Sequence, residues 1–133
     1  MTMPVISIWM IRLSLIFLLL TFVTGSLILM NKAVGWSPVF WALLPVHIEI
    51  AVLGWVLQFV MGTAYWMFPR FVEGPKRGSK KKAWVMVGVL NIGIILSALA
   101  LGNPWVQFAG RLVLLTGVLL FVSLMWKRVV SYR

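Results

Sequence analysis

The sequence contains no cysteine and no aspartate, one histidine and two glutamates. Without cysteine there are no disulfides, thiolate metal sites, iron–sulfur clusters or thioether-linked haems. One histidine cannot form a side-chain zinc or copper site within a single chain. There is no Ser-His-Asp set and no phosphate-binding glycine loop, which excludes the common hydrolytic chemistries. Charged residues make up only 11% of the 133 residues, against about 25% in soluble domains. A water-soluble globular domain is therefore excluded, and a chain that is 62% hydrophobic is not disordered either. Twelve Lys and Arg residues give a net charge of +10. They lie between long apolar runs that belong in lipid, so no nucleic-acid partner is expected. No internal repeat or low-complexity tract is present.

What remains is an all-α, integral membrane four-helix bundle forming a single domain over 1–133. A span needs about 20 mostly apolar residues, and four segments qualify: about Leu13–Met30, Val39–Phe68, Ala83–Leu101 and Trp105–Trp126. The first resembles a signal peptide in charge and length. No Ala-x-Ala site comes after Gly25-Ser26, however, so it reads as a retained helix. Ser37-Pro38 and Asn103-Pro104 each look like an N-cap with proline next, at the first helical position, and Pro69 stops the second span.

The loop 69–82 carries Arg70, Lys76, Arg77, Lys80, Lys81 and Lys82, and the tail adds Lys127, Arg128 and Arg133. The opposite loops carry only Lys32. The positive-inside rule then places the basic loop and both termini in the cytoplasm, in a bacterial or archaeal cytoplasmic membrane. The basic loop reads as a topology determinant attracted to anionic lipid, or as a docking site for an acidic partner. Trp9, Trp36, Trp41, Trp84, Trp105 and Trp126 lie near span ends as an aromatic belt; Trp55 does not.

Ionisable residues inside a bilayer are costly and mark function by default. Three lie within the spans: His47, Glu49 and Arg111. At about 1.5 Å per residue, His47 sits about 12 Å and Arg111 about 10 Å below the outer ends of their helices. Two residues apart on a helix means about 200° around the axis, so His47 and Glu49 face opposite ways. The His47 face runs through Ala51, Gly54, Gln58, Gly62 and Tyr65, small and polar enough to admit a flat ligand or another helix. Glu49 continues an apolar face through Val52, Leu53, Val56 and Val60, with Arg111 its natural partner. His47 reads as an interhelical contact or a cofactor ligand. Arg111 reads as half of a structural ion pair or as a clamp on an acidic cofactor group. Gln58, Asn91 and Gln107 read as hydrogen-bonding links between helices, and most methionines as packing.

The stretch His47-Ile-Glu-Ile-Ala-Val-Leu-Gly54, continuing to Gly62-Thr-Ala-Tyr65-Trp-Met-Phe-Pro69-Arg70, resembles the second transmembrane helix of the haem–copper oxidase catalytic subunit. Cbb-type oxidases and nitric oxide reductases look nearest. The first span, with Thr24-Gly25, is similar to that family's first helix, and the likeness covers about half the chain. The resemblance implies haem b, with His47 as an axial ligand to the iron and Arg111 holding a propionate. Gly54 and Gln58 would line the same cofactor site. The family's subunit has about twelve helices. Its copper histidines, its high-spin haem ligand and the second low-spin ligand are missing here, so no copper and no oxygen reduction by this chain alone is expected.

Three functions are expected on these grounds. One is haem-dependent electron transfer alongside a respiratory complex, as a homo-oligomer (dimer or trimer) or with other respiratory subunits, with quinol a candidate partner. The second is a cofactor-free accessory subunit that braces a larger complex. The third is a small four-helix transporter coupled through Glu49.

Overall fold

The computed structural model describes residues 2–71 and 77–129. Lys76 of the basic loop and Arg133 of the tail lie outside the described residues. Four helices form: α1 (Val5–Val34), α2 (Pro38–Met67), α3 (Lys80–Ala98) and α4 (Pro104–Val129). All four are long and apolar enough to cross a membrane. The chain is an integral membrane protein by this measure.

The ends obey local chemistry. Ser37 Oγ accepts from the Val39 amide, with Pro38 at the first helical position of α2. Asn103 Oδ1 accepts from the amides of Trp105 and Val106 at the start of α4. Phe68, just before Pro69, takes extended backbone and closes α2, because a proline in the next position disfavours helical geometry. Gly35 closes α1 in the left-handed region at φ +70°, a conformation open to glycine at little cost.

Several boundaries differ from expectation: α1 ends at Val34 rather than Met30, α3 begins at Lys80 rather than Ala83, and α4 ends at Val129 rather than Trp126. Helix α1 begins at Val5 rather than near Leu13, because the helix runs on beyond its most apolar stretch to Pro4. Helix α3 ends at Ala98 rather than Leu101; Leu101 and Gly102 both take positive φ in the turn beyond it.

Helix α2 is wound unevenly. It opens as a 3-10 turn over Pro38–Ala42, becomes α over Leu43–Glu49, loosens to a π-helix over Ile50–Leu57, and returns to α over Gln58–Met67. A π turn takes up about one extra residue and so rotates the residues on its N-terminal side relative to those on its C-terminal side. Glu49 is consequently buried, while Val52, Val56 and Val60 are exposed. The expected single apolar face through Glu49 and those valines is therefore not formed.

The bundle consists of two antiparallel hairpins, α1 with α2 and α3 with α4, joined where α3 faces α2. Within α3–α4 the backbones nearly touch. A Cβ at Gly93 would stand 2.6 Å from the Leu114 amide nitrogen, and one at Gly110 2.7 Å from the Ser97 nitrogen. Lipid tails are as apolar as leucine, so close van der Waals approach of this kind is what binds helices in a membrane. The main buried cluster draws on all four helices, with Met10, Met61, Tyr65, Met86, Leu90 and Leu124 among its members. It lies toward the end that carries the basic residues. His47, Glu49 and Arg111 lie toward the other end.

Candidate functional site

His47 projects from α2 onto α1. Its Nδ1 lies 3.0 Å from the Thr21 carbonyl oxygen and 3.1 Å from Thr24 Oγ1. A carbonyl only accepts, so Nδ1 carries the proton and donates. The Thr24 hydroxyl already donates to the Leu20 carbonyl at 2.9 Å, which leaves its oxygen lone pairs facing the imidazole. In the neutral ring Nε2 then holds the free lone pair. It has no partner among the described residues, and His47 as a whole is only half-buried. The ring rests on Gly25, where a Cβ would stand 2.9 Å from His47 Cε1. Thr21, Thr24 and Gly25 form a cradle that fixes this imidazole. Their signal in the sequence is two hydroxyls and a glycine at helical spacing in an otherwise apolar run.

Glu49 faces the other hairpin. Arg111 Nη2 of α4 donates to Glu49 Oε1 in a salt bridge, with the glutamate side chain 8% exposed and the arginine 47%. Glu49 Oε2 is buried without a partner among the described residues. The ion pair ties the two hairpins together near the ends of α2 and α4 that lie away from the basic loop. His47 and Arg111 therefore act on different neighbours, and the structure does not bring them together.

The expected cofactor-lining residues take other roles. Gly54 does not open a seat for a flat ligand: a Cβ there would stand 2.5 Å from Phe17 Cγ, so the Phe17 ring of α1 fills the space. A Cβ at Gly62, two turns on, would stand 2.9 Å from Met10 Cβ and 3.3 Å from Ile11 Cγ1. Gln58, between them on the same face, is fully buried, and both of its amide atoms lack a partner among the described residues. Such a buried orphan amide is uncommon. Arg111 Nη2 serves Glu49, and the arginine side chain stays 47% exposed. Of the expected linking amides, Asn91 bonds back within its own helix to the Val87 carbonyl and Gln107 is exposed.

One functional side chain was not expected from the sequence. Arg128, read there as part of a cytoplasmic tail, is 1% exposed. Its Nε donates to the Pro69 carbonyl at 2.8 Å, and Nη2 donates to those of Phe68 and Tyr65 at 2.7 and 3.0 Å. Its guanidinium also lies 5.2 Å from the centroid of the Tyr65 ring. The last carbonyls of any helix lack intrahelical donors, and here an arginine from α4 supplies them for α2. Arg111 and Arg128 thus hold α2 from α4 near both ends.

Among the described residues no three His, Cys, Asp or Glu side chains come together. Haem needs only one nitrogen from this chain, and the fit can be judged from the donor itself. His47 offers a fixed imidazole with Nε2 free, and a backbone carbonyl on the other ring nitrogen is how metal-ligating histidines are commonly oriented. The chain does not enclose the macrocycle, since Phe17 and α1 occupy the Gly54–Gln58 face. His47 Nε2 is the atom of this chain that would hold a haem iron. Family models, curated proteins and solved structures were all compared with the chain, and none of them matches it.

Proposed function

We propose that this chain binds haem b through His47 at the surface of the bundle and serves in membrane electron transfer as a homo-oligomer. The observation that supports this reading is the Nδ1 bond to Thr21, which leaves Nε2 of a membrane-embedded histidine unpartnered among the described residues. Bound haem b would supply one-electron redox chemistry within the bilayer. Thr21 and Thr24 hold the ring so that Nε2 keeps one direction, and Gly25 admits the ring against α1. In a two-fold dimer, the arrangement of most small oligomers, His47 of both copies would hold the haem. The basic loop faces the cytoplasm in this reading, by the excess of Lys and Arg at that end.

The accessory-subunit reading has its own support. Glu49, Arg111 and Gly54 all serve helix packing, as a purely structural bundle would require. Coupled transport through Glu49 is the weakest of the three, because that carboxylate is already held by Arg111.

The test is an air-oxidised and dithionite-reduced spectrum of protein purified in detergent after expression with ample haem, with haem counted per chain. Sharp reduced α and β bands at about half a haem per chain, lost in His47→Ala while the variant remains folded and inserted, are the expected result. Colourless wild-type protein, or full haem content in His47→Ala, refutes the assignment and favours the accessory subunit.

A further inference from the structure

A cleft of about 760 Å3 opens at the basic end, between the start of α1, the end of α2 and the start of α3. Its lining is of two kinds. Met3, Val5 and Trp84 supply apolar surface, whereas Arg77, Ser79 and Lys80 supply donors. Arg77 is poorly satisfied. Its Nη2 lies 3.5 Å from the Trp66 carbonyl, at the limit of a hydrogen bond, and its Nε is buried with no partner among the described residues. Arg70 Nε is in the same condition. Burial, and then the charge of Arg70, lower the pKa of Arg77, so this cation is both partly desolvated and pressed by a like charge.

The neighbouring sequence has little to neutralise it. Glu73 is the only carboxylate between Pro69 and Lys82, against Arg70, Lys76, Arg77, Lys80, Lys81 and Lys82. Pairing Glu73 with any one of these six leaves five cations over. The other glutamate, Glu49, is held by Arg111 near the far end of the bundle. An anion would relieve this excess of positive charge. The apolar half of the lining says which kind, because a small hydrophilic anion would leave Met3, Val5 and Trp84 facing water.

We propose that this cleft binds an anionic phospholipid, with the phosphate on Arg77, Lys80 and the Ser79 hydroxyl and an acyl chain along Met3, Val5 and Trp84. Basic pockets between membrane helices are suited to such headgroups, and Arg is matched to phosphate in geometry. Ser79 Oγ accepts from the Lys82 amide at 3.3 Å, which leaves its hydroxyl proton to donate. Met3 and Val5 belong to the first hairpin and Arg77 to Trp84 lead into the second. The lipid therefore bridges the two hairpins at the basic end, and it does so independently of any haem.

The test uses full-length protein in mild detergent. Native mass spectrometry counts retained lipid, and unfolding midpoints are compared with added phosphatidylglycerol, phosphatidylcholine or inorganic phosphate. Phosphatidylglycerol is expected to be retained and to raise the midpoint more than the other two. Arg77→Gln with Lys80→Gln should weaken retention by about 100-fold, about tenfold for each of the two lost charge-assisted contacts. Lys82→Gln with Lys127→Gln, which removes the same charge outside the cleft, should not. Val5→Trp fills the apolar part without changing charge and should also reduce retention, which keeps the test open if the double glutamine variant does not fold. Equal effects of phosphatidylcholine or of inorganic phosphate overturn the proposal, as does undiminished retention in both cleft variants.

Discussion

Gly54→Ala should separate α1 from α2. The new Cβ would stand 2.5 Å from Phe17 Cγ, an overlap of 0.9 Å against ordinary contact at 3.4 Å. Turning the ring relieves only part of this. Phe17 Cβ itself lies 3.0 Å away, and that atom moves only with the α1 backbone. Overpacking of this kind costs about 1–3 kcal/mol, offset by about 1 kcal/mol from replacing glycine within a helix. The two terms together give a net loss of about 0–2 kcal/mol. Gly88→Ala is the control, because nothing lies within 4 Å of a Cβ there, and it should gain up to about 1 kcal/mol. Both are read by titrating micelle-reconstituted protein with sodium dodecyl sulfate while monitoring far-ultraviolet circular dichroism and tryptophan fluorescence. Adding Phe17→Ala to Gly54→Ala should recover part of the loss, since it removes the ring atoms but keeps the Cβ. Gly54→Ala as stable as Gly88→Ala would refute the packing argument.

Arg111→Gln leaves the buried Glu49 without its cation and should cost about 1–3 kcal/mol. Glu49→Gln in the same chain should recover most of that loss, measured as a coupling energy in a double-mutant cycle; additive losses would show that the two residues act separately. Arg128→Lys should destabilise nearly as much as Arg128→Met in the same unfolding assay, because an ammonium cannot serve the three carbonyls that the planar guanidinium reaches. Equal stability of Arg128→Lys and wild type would contradict this capping role. Gln58→Leu removes an amide with no partner among the described residues and should be neutral or stabilising. A loss above about 1 kcal/mol would instead point to a bound water on that amide.

Composition and pattern alone made the membrane class, the four spans and their capped ends legible. These are local matters. Twenty apolar residues span a bilayer whatever their neighbours are, and a serine or asparagine before a proline caps a helix with its own atoms. The pairing of Glu49 with Arg111 was also legible, because two opposite charges at matching depth in lipid have few other ways to be satisfied.

The rest depended on which helix faces which. The stripe through His47, Gly54, Gln58 and Gly62 reads equally as a ligand face and as a packing face, and only the seating of Phe17 and Met10 against its glycines decided for packing. The π winding over Ile50–Leu57 has no signature in residue periodicity, yet it turns Glu49 inward and leaves Val52, Val56 and Val60 outward. Arg128 counted as one more positive charge in a tail until α4 placed it on the open carbonyls of α2. A carbonyl exists at every position and carries no mark of its own in a sequence. Its need for a donor appears only when the chain has folded and the helix has an end.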